Sequence, residues 1–519
     1  MHRGENMKKS LGLLTCLILL STLVVSSIPM EVEAETLTLT IITPHWEGIR
    51  VEYERAFNDY YYNLHGDNVT IDWIDVGGTS DIIAYVDAEF AKNPTGIGID
   101  IWWGGGVDPF IDQKEKGHLY SYQVNETILD LIPTNISGIP LYDTENYTWY
   151  GTALSGFGII YNKVVLQAEG LPVPTTWEDL TDPRLRGWVG SADPRHSGST
   201  HMMYEIILQA YGWEKGLEIA TLLGANVKSW PESSSAIPKA VGTGDIAYGL
   251  AIDFYAWSEV AKVGADKIGY VMPEGLTVIN PDSIAILKGA PHLELAKTFV
   301  EFVLSEAGQK LWMLPKGAPE GPQDYLLGRM CVIPDLYTEL GNQSVVPVNP
   351  FEVESVLEYN ATLGSLRYSL VNDIIGAMII DTHPTLSSVW EEINTVDEKL
   401  TEAGLTSTYI PAAIDELVKV PVNESFALSL NWTDTEIRNK YISDWHGFAL
   451  EKYKNASDYA ELARTELYTH IDELIAELEK KASNNLYMGV GGGTVLGIII
   501  GAVIVYFITG RREIAAVRA

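Results

Sequence analysis

Apolar residues recur with two alternating periods along the first three hundred residues, which predicts strands and helices in turn. The short apolar runs 36–42 and 99–103 are typical of strands, whereas residues 47–64 have the spacing of an amphipathic helix. Strands that alternate with helices favour a parallel, doubly wound α/β sheet. Ligands of such sheets bind beyond the carboxyl ends of the strands, so we expect a binding site at that edge.

Four polar or aromatic residues fall at this predicted edge. His45 follows the first strand, Thr79 and Ser80 open the second helix, and Trp103 ends the third strand. Two have alternative interpretations, since Trp103 is also a plausible core residue and His45 a cap of its strand. A later strand, 245–252, delivers Asp253 to the same edge, where it is a candidate ligand contact or a plain helix N-cap.

The stretch 187–204, GWVGSADPRHSGSTHMMY, predicts a buried strand, a polar turn and the start of a helix. Ser197, Ser199 and Thr200 stand at that helix start. Unpaired backbone N–H groups and the positive end of the helix dipole favour an anion there, with Arg195 and His196 adding charge at the rim. The alternative is an ordinary N-cap turn without a ligand.

Both chain ends predict export and membrane attachment. Lys8 and Lys9 precede an apolar run, which predicts a signal peptide over residues 1–34. Residues 486–510 are uncharged and long enough to cross a bilayer, and the arginines after them place the tail 511–519 in the cytoplasm. Sequons for N-glycosylation predict an outward-facing surface; they are Asn68, Asn125, Asn135, Asn146, Asn342, Asn360, Asn423, Asn431 and Asn455.

Composition narrows the classes of partner and cofactor. The formal net charge of −34 makes nucleic acid and anionic lipid surfaces unsuitable partners. Cys331 is the one cysteine outside the predicted signal peptide, so the sequence predicts no disulfide framework, no thiolate metal cluster and a buried apolar role for this side chain. No cofactor motif is present, and the chain has no nucleophile elbow, HExxH motif or paired acids for catalysis.

Two further segments follow the predicted α/β region. We expect residues 331–432 to be a mostly helical extension that packs on the first lobe. Residues 433–485 begin with a capping-box pattern and contain a single glycine, which predicts one long helix. We interpret this helix as a stalk that lifts the binding region off the membrane; the alternative is a helix packed on the domain.

Several stretches together resemble the extracellular solute-binding proteins of ABC importers, in the branch of ferric-ion and organophosphate binders. They are DIWWGGGVDPFIDQKEKGHL, PTTWEDLTDPRLRGWVGSADPRHSGST, AVGTGDIAYGLAIDFYAW and NPDSIAILKGAPHLELAKTFVEFVLSEAGQ. The resemblance implies a two-lobed periplasmic-binding-protein-like α/β fold with hinge crossings. Lobe one would comprise residues 35–153 and 274–330, and lobe two residues 154–273.

The resemblance also implies a function and a set of ligand contacts. The protein would hold a small solute between its lobes, outside the cell, and deliver it to an ABC permease with its ATPase, without covalent chemistry. The implied contacts come from both lobes; they are His45, Thr79, Ser80, Trp103, Ser155, Ser197, Ser199, Thr200, Asp253 and Tyr255. The hydroxyl-rich helix start with Arg195 favours a phosphate- or carboxylate-bearing solute.

One departure from the family bears on the alternative ligand, ferric iron. Iron-binding relatives carry adjacent tyrosines, whereas this chain has Phe254 before Tyr255, and a phenylalanine cannot bind metal. An iron site would then use His45, Glu47, Asp253 and Tyr255. Two other functional classes stay open: an ectoenzyme that uses Asp253 with Tyr255, and a structural or sensory surface glycoprotein on the same scaffold.

Overall fold

The computed structural model describes residues 36–353 and 357–487. The predicted signal peptide, the predicted membrane helix beyond residue 487 and the predicted cytoplasmic tail lie outside the described residues. Within them, the strands are β1 Thr36–Ile42, β2 Asn68–Ile74, β3 Ile101–Trp103, β4 Asn135–Ile136, β5 Ile139–Pro140, β6 Tyr150–Asn162, β7 Val189–Gly190, β8 Tyr248–Ile252, β9 Ile268–Val271 and β10 Ile279–Ile286.

Helices follow most strands, as the alternating periods predict. The α-helices are α1 Glu47–His65, α2 Thr79–Lys92, α3 Val107–Glu115, α4 Glu126–Leu129, α5 Lys163–Glu169, α6 Gly198–Tyr211, α7 Trp213–Asn226, α8 Ala236–Thr243, α9 Asp253–Val263, α10 Leu293–Leu304, α11 Glu306–Met313, α12 Asp335–Leu340, α13 Ala361–Ile375, α14 His383–Glu402, α15 Tyr409–Leu417, α16 Glu424–Ser429 and α17 Thr435–Tyr487.

One mixed sheet runs through the α/β region in the order β2-β1-β3-β10-β6-β8-β7, with β9 paired to β6. The predicted parallel pairing holds for β1 with its two neighbours and for β7 with β8. Strand β6 is antiparallel to β10 up to Gly156 and to β8 from Phe157 onward. The long strands β6 and β10 therefore cross between two halves of the sheet, which confirms the predicted two-lobed α/β class.

Lobe one below means residues 36–153 and 274–330, and lobe two means residues 154–273. Every residue of β10 is buried, and β6 is buried except for Tyr161. Both strands contain polar residues among their apolar ones, such as Ser155 in β6 and Asp282 in β10, and these polar residues are buried too. The crossing strands lie at the centre of the molecule, and they carry Ser155 and Asp282 to the junction of the lobes.

The extension after lobe one does not pack on lobe one alone, which corrects the expectation for residues 331–432. Its first part does, since Cys331 and Leu336 are buried in the core of lobe one. Helix α13, however, packs against α3 of lobe one and also α6 of lobe two. Helix α14 packs on α7 of lobe two. The apolar faces of these helices thus cover lobe two and the border between the lobes.

Residues Ala361–Ile380, formed by α13 and the π-helical turn after it, have the length and apolarity of a membrane-crossing helix. Their mean hydropathy is 1.2, and 72% of this stretch is buried inside the molecule. A core helix can have the same length and apolar composition. The burial of α13 between the two lobes therefore explains why its residues are apolar.

Helix α17 is one continuous helix of 53 residues, as its sequence predicts, but most of it is not a projecting stalk. It packs along α14, α15 and the π-helical turn. Its buried apolar side chains recur every three or four positions, which forms one apolar stripe; they are Trp445, Ala449, Tyr453, Ala456, Ala460, Ala463, Leu467 and Ile471. The alternative of a helix packed on the domain therefore describes α17 up to Ile471.

Candidate functional site

A cleft of ≈ 390 Å³ lies between the two lobes, at the predicted carboxyl edge of the sheet. Both lobes and both crossing strands contribute to its wall. Of the residues predicted to contact a ligand, six line the cleft; they are His45, Thr79, Ser155, Ser197, Ser199 and Tyr255. This volume falls within the range of small-molecule pockets in proteins.

Several helices begin at the wall of the cleft. Helix α2 starts at Thr79, α3 follows Gly106, α6 starts after its cap Ser197, and α8 starts after Ser235. The first N–H groups of each helix have no partner within that helix, and each helix dipole has its positive end there. The first two N–H groups of α8 donate to carbonyl oxygens of the preceding turn, so this helix contributes its dipole rather than free donors. Four helix starts from two lobes thus direct partial positive charge toward one space, which suits an anion.

The two lobes touch each other beside the cleft. Ser80 Oγ donates a hydrogen bond of 3.0 Å to the carbonyl oxygen of Pro194, and His196 Nδ1 lies 3.0 Å from Asp81 Oδ1. A Cβ on Gly78 would lie 1.8 Å from the carbonyl oxygen of His196, so this close approach requires glycine. The described arrangement is therefore a closed one, with lobe-to-lobe contacts formed.

Arg329 is the most buried cation of the cleft, with 2% exposure. Its Nη1 donates to the Asp282 carboxylate, and its Nη2 donates to Ser155 Oγ at 2.9 Å. The guanidinium carbon lies 4.5 Å from the centre of the Phe254 ring, which places the cation over an aromatic face. The residue thus ties the end of lobe one to both crossing strands and to the start of α9.

Asp282 stands between two basic groups, because His45 Nε2 lies 2.8 Å from its Oδ2. Burial raises the pKa of Asp282, but the Arg329 charge and the His45 hydrogen bond outweigh it and hold the pKa well below the ordinary value. Burial lowers the pKa of His45 by more than Asp282 raises it. A neutral His45 therefore donates through Nε2 to an ionised Asp282.

Three of the five acidic side chains of the wall have a basic partner, which reduces their repulsion of an anion. Each of three carboxylates has a guanidinium or imidazole partner; the pairs are Asp75 with Arg50 at 3.2 Å, Asp81 with His196 at 3.0 Å, and Asp282 with Arg329 and with His45 at 2.8 Å. The protein has a strongly negative net charge, but the hydrogen-bond donors around the cleft determine the charge of the ligand that binds there.

Four of the predicted contact residues have other roles in the structure. Trp103 is fully buried in the core of lobe one and donates through Nε1 to Thr152. Thr200 is 1% exposed within α6. Asp253 is buried and accepts hydrogen bonds from the backbone of Gly156 and Phe254; it is the first residue of α9, whose N-cap is Ile252, so the N-cap alternative is wrong as well. Ser80 engages in the lobe contact described above.

Arg195, expected at the rim of the anion seat, turns away from the cleft. Its guanidinium pairs with Asp193 at 2.7 Å and with Asp381 of the extension at 2.9 Å. His196, expected beside it, does line the cleft. The positive groups that face the ligand space are therefore Arg329 and Arg50 rather than Arg195.

The four residues of the iron hypothesis do not form a metal cage. Glu47 is absent from the cleft wall, and Asp253 is held by backbone donors. Burial raises the pKa of Tyr255 to about 12, so its hydroxyl is protonated when no cation is bound. Over the described ranges 36–353 and 357–487, no group of three or more His, Cys, Asp or Glu side chains is arranged to hold a metal ion.

Sequence reasoning missed the residues whose partners are distant in the chain. Arg329 and Asp282 come from separate segments, and Tyr368 and His201 line the cleft from the extension and from the second turn of α6. The polar Asn-Pro-Asp sequence inside the apolar crossing strand was a signal for Asp282. No local pattern marks Tyr368.

The fold and the cleft define a class of protein: two α/β lobes joined by crossing strands around one ligand space are the architecture of periplasmic binding proteins. The iron-bound HitA from Pseudomonas aeruginosa superimposes with a TM-score of 0.50 at 20% identity, covering 66% of this chain and 99% of that one. Residues 106–324 match the family described as bacterial extracellular solute-binding protein. This part of the chain is therefore similar to the solute-binding proteins of that family.

Two curated relatives match part of the chain. An uncharacterized protein of Haemophilus influenzae is 30% identical over 241 residues, which is 45% of this chain and 65% of that protein. The phosphoglycerate transport regulatory protein PgtC of Salmonella typhimurium is 28% identical over 164 residues, or 32% and 40% of the two chains. The chain thus spans less than two thirds of the length of these relatives.

Proposed function

We propose that this protein is the solute-binding component of an ABC import system and captures a small anionic solute between its lobes. The observation that carries the proposal is the interlobe cleft ringed by the starts of four helices. The solute carries a phosphate or carboxylate group, because backbone N–H groups at helix starts bind such oxygens. The Salmonella relative is named for phosphoglycerate transport, which supports the same chemistry.

Binding works through closure of the two lobes. A solute that contacts both lobes binds the closed form more tightly than the open one, so it shifts the population toward closure. The closed protein then docks on a permease, which an ATPase drives. No bond to the solute is made or broken in this proposal, so the protein acts as a binding protein and not as an enzyme.

The proposed location is outside the cell, on a single membrane anchor. The predicted signal peptide, the predicted C-terminal membrane helix and the outward-facing sequons support it. The part of α17 after Ile471, at about 1.5 Å per residue, spans about 24 Å and would separate the domain from the bilayer.

The test is a thermal-shift panel of organic phosphates, carboxylates and ferric iron on the purified full-length chain, followed by calorimetry with the best stabiliser. We expect an organic anion to raise the melting temperature. Stabilisation by ferric iron alone would favour the metal-binding alternative. If none of the small solutes shifted the protein, the structural or sensory role would replace transport.

Substitution Ser199→Asp tests the sign of the ligand. Ser199 lies in the first turn of α6 and lines the cleft, so a carboxylate there favours the helix but repels an anion. We expect the affinity for the stabilising anion to fall by about a hundredfold or more, since like charges a few ångströms apart cost about 4 kcal/mol in a partly screened site.

The matched control is Ser483→Asp, which adds the same charge on the exposed end of α17. It should leave the affinity unchanged within twofold. Unchanged or tighter anion binding by Ser199→Asp, with a normal melting temperature, would contradict an anion seat at the start of α6.

A further inference from the structure

The helix α13 of the C-terminal extension, which lies outside the family match, forms part of the cleft wall. Tyr368 of α13 lines the cleft, and its hydroxyl lies 3.1 Å from Ser80 Oγ of lobe one. Gly364, Tyr368 and Asn372 follow each other at four-residue intervals, so they share one face of the helix. This face meets α3 on one side and α6 on the other.

Two buried side chains opposite this face keep a polar atom without a partner. His201 of α6 is 1% exposed; its Nδ1 donates to Asn372 Oδ1 at 2.7 Å, and its Nε2 has no hydrogen-bond partner within the described part of the chain. Asp108 of α3 is 2% exposed; its Oδ2 accepts from the Tyr359 hydroxyl, and its Oδ1 is unpartnered among the same residues. Both residues line the cleft.

Burial disfavours the charged form of both groups. Burial lowers the pKa of His201 to about 3, so the unpartnered Nε2 is a hydrogen-bond acceptor. Burial raises the pKa of Asp108 well above its ordinary value, which favours the protonated carboxyl group, a hydrogen-bond donor. The His201 ring stacks on Tyr368 with 3.6 Å between ring centres, which fixes the orientation of both rings.

A hydroxyl group is the ligand that suits such a wall. It donates to the imidazole nitrogen and accepts from the carboxylic acid, so both buried atoms gain the partners that buried polar atoms normally have. A second anionic group would find no charge there, and an alkyl chain would leave both atoms unpaired. The helix starts therefore suit the anionic group of a solute, and the wall formed by His201 and Asp108 suits a hydroxyl group of the same solute.

We propose that the C-terminal extension completes the ligand site, and that Asp108, His201 and Tyr368 form a subsite for hydroxyl groups of a polyhydroxylated organic anion. The proposal rests on the proposed function, which supplies the anionic end of the solute. It assigns the extension a part in specificity, beyond its packing on the two lobes.

The experiment compares pairs of six-carbon anions by calorimetry on the full-length protein. Sorbitol 6-phosphate is paired with hexyl phosphate, and gluconate with hexanoate, so each pair differs in hydroxyl groups alone. Two new hydrogen bonds contribute about 1–3 kcal/mol together, so we expect the hydroxylated member of one pair to bind about tenfold tighter or more.

The variant His201→Phe keeps an aromatic ring against Tyr368 and removes the acceptor. It should lower the ratio of the two affinities at least fivefold. Tyr368→Phe is the milder second variant and should lower the ratio at least twofold. His65→Phe, on the exposed end of α1, is the matched control and should leave the ratio unchanged.

The outcomes separate the two proposals. If no member of either pair binds, the anion-binding function fails and this subsite fails with it. If both members of each pair bind equally well, the function stands and the hydroxyl subsite is wrong. A preference for hydroxyl groups that survives in both variants would place the recognition elsewhere in the cleft and would also overturn the subsite.

Discussion

Single residues around the cleft differ in how far away their partners lie in the chain. Ser197 caps α6 through a residue three positions on, and such local capping patterns are visible in a sequence. Asp282 and Arg329 instead meet His45 and Ser155 only after folding. The sequence therefore predicted the hydroxyl-rich helix start but missed the buried ion pair.

Trp103 shows the opposite error at the same scale. Its place at the end of β3 was predicted. A side chain in a strand lies on one of the two faces of the sheet, and this one packs in the core of lobe one. Position at the edge of the sheet alone therefore does not make a contact residue. The direction of the side chain decides it.

Arg367 of α13 forms a buried ion pair with Glu205 of α6 that offers a test of the extension's packing. The two side chains are 1% and 0% exposed, and the guanidinium donates to both carboxylate oxygens at 2.7–3.0 Å. We expect Arg367→Met to lower the free energy of unfolding by about 3–5 kcal/mol, because it leaves Glu205 buried without a charged partner and with only the Gln209 amide as a donor.

Urea unfolding followed by tryptophan fluorescence measures this change. The matched control is Arg184→Met, which removes an exposed ion pair with Asp182 and should cost about 0–1 kcal/mol. An equally small effect of Arg367→Met would mean that α13 is not held on lobe two as described.

At the level of elements, the two hydrophobic periods predicted most strands and helices within a few residues. The exceptions have local causes. The amphipathic pattern of residues 292–311 predicts one helix. The structure has two, since Ser305 leaves the helical conformation and its hydroxyl caps α11 through Gly308. Strand β9 was not predicted; its four residues IGYV are too few for a periodic signal.

Helix α17 shows why a long helix was predicted correctly in length and wrongly in role. Half of its buried stripe is alanine, including Ala456, Ala460 and Ala463. Alanine is a good helix former on any surface, so the sequence does not separate a packed face from an exposed one. The contacts of α17 with helices α14 and α15 in the structure identify its packed face.

Lys452 lies on the packed face of α17 and gives that helix a pH-dependent stability. It is 1% exposed, and its Nζ donates to the carbonyl oxygen of Lys419 at 2.9 Å. Burial lowers the pKa of Lys452 to about 7, below its value in an unfolded chain. Between about pH 7 and pH 10 the unfolded chain therefore binds one more proton, so folding gains stability as pH rises.

We expect the variant Lys452→Met to be more stable than the wild type at pH 7. This advantage should shrink by about 1.4 kcal/mol per pH unit toward pH 10, because only the wild type gains stability over that range. Urea unfolding at pH 7, 8.5 and 10 measures it. Lys454→Met, on the exposed face of the same helix, is the control, and a similar pH profile for both variants would contradict the burial of Lys452.

The whole molecule differs most from the sequence-based expectation in where the extension packs. The expectation placed residues 331–432 on lobe one, but nothing in an amphipathic helix states which surface its apolar face will cover. Because α13 contacts both α3 and α6, any opening of the lobes must move it relative to at least one of them. Opening is thus coupled to the extension.

The sequons predict an outward-facing surface for the molecule as a whole. Of the nine sequon asparagines, seven are exposed and Asn68 and Asn455 are half-buried, so each is positioned at or near the surface. Their glycosylation, like the membrane anchor, stays a prediction. The acidic surface and the cleft serve different purposes, since net charge acts on solubility and local donors act on the ligand.

The most direct measurement of the central claim is a crystal structure of the protein with the organic anion that stabilises it most. We predict density for the anionic group beside Thr79 and Ser199, in contact with both lobes, and its remaining part directed toward His201. Density outside the interlobe cleft, or a cleft occupied by the protein's own side chains while the anion is bound, would contradict the account.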